Sequence, residues 1–174
     1  MRKNIEGICW DRAWALHRLA FVRACSCLLG TAAVFVCGCG RERLAQPEAP
    51  ALVTLQIASD GELLAFNPTE LSCPTGARVR VVFHHTGQRL PQDHNWVLLQ
   101  PGSSDAIMQA GVAAGQSAGF VPRDSRVLAA TALCGRGGEA TVEFTAPAPG
   151  DYPFLCTFPG HGAVMNGVLH VTAH

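Results

Sequence analysis

Lysine is absent from residues 51–174, and charge of either sign is sparse, with 13 basic and 13 acidic residues in a chain of 174. Within 51–174 six Arg stand against nine Asp/Glu. That stretch is mildly acidic with no basic cluster, which excludes a nucleic-acid footprint. Long apolar runs are missing as well. The run LLGTAAVFV (28–36) has nine residues, where a membrane-spanning helix needs about 20. There is no internal repeat, which removes solenoids and arrays. No Ser/His/Asp set and no paired carboxylates are visible, so the common hydrolytic constellations have no candidates. Disorder is excluded over most of the chain because 48% of it is apolar, enough for a packed core.

Eight cysteines suggest a disulfide framework until they are placed. Cys9, Cys25, Cys27, Cys37 and Cys39 all precede residue 40, which leaves Cys73, Cys134 and Cys156 for the folded part. An odd number in an exported chain demands a separate explanation for one of them.

Export itself is predicted from the first 39 residues. Arg12, Arg18 and Arg23 precede the short apolar run, in the order of a secretory signal. Val36-Cys37-Gly38-Cys39 follows, and it resembles a bacterial lipobox in which a small residue precedes the cysteine that takes lipid. Cys39 fits better than Cys37, because Gly38 is small and Val36 is not. An ordinary signal peptide cut nearby is the competing reading. The sequence therefore predicts a signal and lipobox region over 1–39, a flexible tether over 40–50 (GRERLAQPEAP) and one domain over 51–174. That places the domain outside the cytoplasm, on the cell-envelope face of a bacterial membrane, held by lipid on Cys39.

The domain reads as all β. Candidate strands are 52–58, 78–84, 94–100, 126–133, 140–146, 151–157 and 167–173, several with alternating polar and apolar residues as in Arg78-Val79-Arg80-Val81. Asp60-Gly61, Pro74-Thr75-Gly76, Gly135 to Gly138 and Pro147 to Gly150 punctuate them. Residues 103–115 (SSDAIMQAGVAAG) predict one short helix. Strands at this spacing imply a Greek-key β-sandwich with one helical insertion.

Chemistry concentrates in Cys156-Thr157-Phe158-Pro159-Gly160-His161-Gly162-Ala163-Val164-Met165. This stretch lies between the last two candidate strands, so a thiol, an imidazole and a thioether share one loop. His94 opens another strand that can meet them across the sandwich. Two His, one Cys and a weak axial Met make the trigonal site that holds copper for electron transfer. The remaining histidines, His84, His85, His170 and His174, have no carboxylate at close spacing and are read as solvated or hydrogen-bonded.

CTFPGH (156–161), with HNWVL upstream and GVLHV downstream, resembles the azurin and auracyanin cupredoxins over about residues 52–172. DSRVLAATAL (124–133) resembles an azurin strand, and FTAPAPGDYPFLCTFPGH (144–161) resembles auracyanin. The resemblance implies one copper ion cycling between Cu(I) and Cu(II). It implies His94, Cys156 and His161 as equatorial ligands, Met165 as the axial ligand, and the Asp93 carbonyl as a distant fifth contact. Azurin has Gly where Asp93 stands, so its carboxylate either lowers the potential or points outward. Asn95 matches a residue that ties the two ligand loops together, and Phe158 belongs to the same surrounding shell. Of the azurin disulfide, the first cysteine has no counterpart near Val53 or Thr54. Cys73 and Cys134 are left as a candidate bridge.

The implied function is a single-electron carrier and not an enzyme. A nitrite-reductase-like domain needs a second metal site, and no second His cluster is present. A copper store is Met-rich or His-rich, whereas this chain has three Met including Met1. Redox partners are expected to dock transiently near His161, on an apron of Phe158, Pro159, Gly160, Gly162 and Ala163, with Leu63 and Leu64 alongside.

Overall fold

A computed structural model describes residues 51–173. The signal region, the tether and Cys39 lie outside the described residues.

Among the described residues nine strands form two sheets. The first has the order β2-β1-β4-β7 and the second β3-β9-β8-β5-β6. In chain order they are β1 (Leu52–Ser59), β2 (Phe66–Asn67), β3 (Glu70–Pro74), β4 (Arg78–His84), β5 (Val97–Leu99), β6 (Val127–Ala130), β7 (Glu139–Thr145), β8 (Gly150–Leu155) and β9 (Asn166–Thr172). β1 runs parallel to β4 and β3 parallel to β9, and the other pairings are antiparallel. The result is the expected Greek-key sandwich. Alternation explains the packing: Val79, Val81 and Phe83 of β4 are fully buried while Arg78 and Arg80 on the other face reach Glu143 of β7. Trp96, Phe66, Phe83, Phe154, Ile57 and Leu169 fill the space between the sheets.

β5 is buried on both faces, which is why its sequence is continuously apolar. Leu98 faces the inter-sheet core, whereas Val97 and Leu99 pack outward with Leu155 against Ile107. Ile107 belongs to α1 (Ser104–Ala114), the predicted helix, which lays Ile107 and Gly111 inward. The predicted strands over 94–100 and 126–133 are shorter than expected. Trp96 N–H donates to Thr131 Oγ1 and not to the ladder, so His94 keeps only an isolated bridge to Cys134. β2 and β3 were not anticipated. β2 has two residues, and β3 ends in a proline tolerated because that strand lies at a sheet edge.

The expected Cys73–Cys134 bridge is corrected: both are free, buried thiols. Cys134 pairs with His94 at the ligand end of the sandwich. Cys73 pairs with Val171, near the far end of β9 from Asn166. Five residues of strand separate those levels by about 16 Å, beyond any disulfide's reach.

Candidate metal centre

Two irregular loops at one end of the sandwich build the site. The first is the segment between β4 and β5, which delivers His94. The second joins β8 to β9 and carries Cys156, His161 and Met165. This second loop is wound tightly on itself: His161 N–H donates to Phe158 O (3.0 Å), Met165 N–H to His161 O (2.8 Å) and Cys156 N–H to Met165 O (3.0 Å). Gly162 permits that winding, since a Cβ there would lie 2.8 Å from Cys156 O and 2.6 Å from Met108 Sδ on α1.

The predicted ligands converge. His94, Cys156 and His161 are buried, with their donor atoms mutually within 4.8 Å. His94 Nδ1 lies 3.1 Å from His161 Nδ1, and Cys156 Sγ lies 3.8 Å and 3.7 Å from the two nitrogens. With bonds of about 2.0 Å to nitrogen and 2.3 Å to sulfur, a first-row ion in a trigonal site sets N and S about 3.7 Å apart. The donor triangle fits that requirement, with the two nitrogens slightly pinched. Met165 is fully buried on the same loop. Soft thiolate with two imidazoles is a donor set suited to copper.

Burial sets the protonation states. It pulls His94 down to about 4, helped by the neighbouring His85 and His161, and it lowers His161 as well. Both rings are therefore neutral and able to bind metal at neutral pH. Burial pushes the Cys156 thiol up to about 11, offset in part by the nearby backbone N–H groups of Asn95 and Phe158. Both residues anticipated around the ligands thus act through their backbone. The Asn95 side chain does more. Its Oδ1 accepts Thr157 N–H at 2.8 Å, while Nδ2 donates to Thr157 Oγ1 (2.8 Å) and Gly119 O (3.0 Å). The residue after His94 is thereby fastened to the residue after Cys156.

The structure adds neighbours to those the sequence suggested. His85 packs its ring 4.5 Å from that of His94. Gly87 N–H donates to His85 Nδ1 (3.1 Å), so the neutral ring carries its proton on Nε2 and donates it to Gln92 O at 2.7 Å. Phe158 lies 4.6 Å from the His161 ring and meets Phe120 edge-on. Leu63, Leu90, Val112 and Val164 are exposed large apolar residues, all on segments at this end. Leu64 instead packs into the core. Met108, Val112, Phe158, Pro159 and Ala163 line a groove of about 200 Å³ beside the ligand loop.

Comparisons with known proteins agree with this geometry. The chain is 41% identical over 122 residues to auracyanin-A of Chloroflexus aurantiacus, covering 68% of this chain and 74% of that protein. The solved structure of auracyanin A, described as a "blue" copper protein, superposes with a TM-score of 0.65 at 40% identity, covering 70% of this chain and all of that one. Outer membrane protein H.8 of Neisseria gonorrhoeae is 41% identical over 91 residues, half of each chain. The family of copper-binding proteins that comprises plastocyanin and azurin matches residues 53–172. With that match covering most of the chain and the His-Cys-His triangle in place, the protein belongs to the plastocyanin/azurin family and holds one copper ion.

Proposed function

We propose that this protein is an extracytoplasmic single-electron carrier with a mononuclear type 1 copper site, and that it is not an enzyme. The observation that carries the reading is the buried triangle of one thiol sulfur and two imidazole nitrogens, both Nδ1. In this reading His94, Cys156 and His161 are the equatorial ligands, Met165 is axial, and the Asp93 carbonyl makes a weak further contact. Bound copper supplies a one-electron couple. The chain supplies a donor set fixed by the Asn95–Thr157 bonds, with neutral imidazoles and water excluded by Met165, Phe158 and Trp96. A substrate-binding enzyme needs an open coordination position, and the donor atoms here lie below the surface.

Electrons would pass by way of His161, whose Nδ1 faces Cys156 and His94 and which sits on the short β8–β9 loop beside the apolar groove. The side chains of Leu63, Leu90, Val112, Val164 and Ala163 form an apolar rim, which suits small, transient docking with redox partners. The likeness to a protein named for the outer membrane and the Val36-Cys37-Gly38-Cys39 sequence support tethering to a membrane through lipid on Cys39.

Copper(II) loading tests the central reading. The protein is expected to turn intensely blue, and Cys156→Ser to remain folded and colourless. A colourless copper-loaded wild type refutes it. Mass spectrometry of the native mature N-terminus tests the anchor: an unmodified terminus downstream of Cys39 leaves a soluble protein.

A further inference from the structure

The segment from His85 to Asp93 delivers His94 without belonging to a sheet. What holds it is a set of side chains. Three consecutive amides in it converge on one carboxylate. Gln88 N–H (2.7 Å) and Arg89 N–H (3.0 Å) donate to Glu62 Oε1, and Leu90 N–H (3.1 Å) donates to Glu62 Oε2. Glu62 comes from the turn between β1 and β2, in a different part of the chain. Around it the turn and the segment are fastened again: Gly61 N–H donates to Thr86 Oγ1 (3.0 Å) and Thr86 N–H to Ser59 Oγ (2.9 Å). Gly87 allows the close approach, since a Cβ there would lie 2.9 Å from Gly61 O and 2.8 Å from His85 Cε1.

Only an acceptor with two oxygens and no hydrogen can take three converging N–H groups, and an ionised carboxylate is that acceptor. The three amides, with Arg89 nearby, hold the Glu62 carboxyl down at about 2, so it stays charged throughout the physiological range. From the anchored amides the chain runs through Pro91, whose fixed φ limits slack. It reaches Gln92, whose carbonyl accepts a hydrogen bond from His85 Nε2. His85 in turn lies against the His94 ring. Glu62 grips the segment from its outer side and His85 from its inner side.

We propose that Glu62 is a positioning residue for the metal centre. Its carboxylate gathers the amides of residues 88–90 and so holds the His94-bearing segment where His94 Nδ1 faces Cys156 and His161. This rests on the copper reading. The competing role is a surface fastening that stabilises the turn and leaves the metal untouched.

The test compares the copper-loaded full chain with Glu62→Gln, Glu62→Ala and a control, Glu143→Gln, whose carboxylate pairs with Arg78 and Arg80 on the sheet face. Readouts are copper release to a chelator, the thiolate-to-copper band and the reduction potential. Each Glu62 variant is expected to release copper about tenfold faster, the equivalent of losing about one charge-assisted hydrogen bond, and to shift band and potential. Added formate should restore Glu62→Ala, by occupying the vacated amides, but not Glu62→Gln, whose side chain fills the place. Glu143→Gln should match the wild type. If Glu62→Ala does not fold, the near-isosteric Glu62→Gln carries the measurement. Wild-type release, band and potential in the Glu62 variants, with only the unfolding midpoint lowered, overturn the proposal, as does a shift in Glu62→Ala that formate leaves unchanged. A wild-type chain that binds no copper removes the copper reading itself, and the positioning role with it.

Discussion

Asn95→Ala separates a residue that ties the two ligand loops from one that merely lies between them. The side-chain amide makes three hydrogen bonds in a region closed to water. Truncation leaves Thr157 N–H with no acceptor, and an orphaned buried donor costs about 1–3 kcal/mol. Thr157 Oγ1 and Gly119 O lose a donor, a smaller cost because the hydroxyl can rotate to another partner. The vacated volume adds a modest cavity contribution. Together the loss is about 3 kcal/mol, a large fraction of the 5–15 kcal/mol typical of a domain. With a urea slope of about 2 kcal/mol per M, the unfolding midpoint of the apoprotein should fall by about 1.5 M.

Two further variants sharpen the result. Asn95→Leu restores volume without the bonds and should lie close to Asn95→Ala. Asn95→Asp keeps an acceptor for Thr157 N–H but buries a charge with an oxygen facing Gly119 O, so it should lose at least as much. The assay is urea unfolding of the apoprotein by circular dichroism, with the visible spectrum of each copper-loaded variant beside it. A midpoint shift below about 0.3 M in Asn95→Ala, together with an unmoved charge-transfer band, would refute the tie.

Three more outcomes follow from the same site. Copper binding in weak buffer near neutral pH should release one proton per ion, because the thiol is protonated up to about 11 and both imidazoles are already neutral. Apparent affinity should accordingly rise about tenfold per pH unit from the ordinary histidine range up to that value; release of no proton would show that the thiolate is already formed. Gly162→Ala should destabilise the apoprotein by about 1–3 kcal/mol through overpacking. Adding Met108→Ala should not rescue it, because the clash with Cys156 O is with backbone; full recovery in the thermal melt of the double variant would contradict this. Ala163→Glu should slow electron exchange with a redox partner while leaving the copper spectrum in place, and unchanged exchange rates would remove the docking role from this rim.

The candidate ligands were legible in the sequence because three of them share one loop that carries the string CTFPGH, with HNWVL upstream and GVLHV downstream; their spacing alone is a weak signal. CTFPGH states a thiol and an imidazole five positions apart, and Met165 follows after four more. His94 was legible only through its neighbours, Asn95 and Trp96, since a lone histidine carries no signal. The sandwich was legible from alternation in β4 and β7. β3 was hidden because Pro74 argues against a strand unless the strand is known to be at an edge. The cysteines misled for a related reason. Chain position says nothing about which end of a strand a residue occupies, and Cys73 and Cys134 lie at opposite ends. Glu62 and His85 were illegible in principle, because what they hold is main chain. A carboxylate that binds three amides leaves no partner residue type in the sequence to look for.

That difference bears on how the site is made. The two ligand loops have few ladder bonds of their own, and side-chain and loop hydrogen bonds hold them instead. Asn95 joins His94's neighbour to Cys156's neighbour, the β8–β9 loop is closed by its own three amide bonds, and His85 with Glu62 brackets the approach to His94. The imidazoles are held neutral by burial, so they need no change of state to bind. The thiol is the exception: burial raises its pKa, and the backbone amides of Asn95 and Phe158 offset that only in part. On binding copper the thiol gives up its proton, and the sulfur is left as a thiolate ligand. Hydrogen bonds that fix the donor set also limit how far it can move when the charge of a bound ion changes by one electron, which is the property a carrier needs.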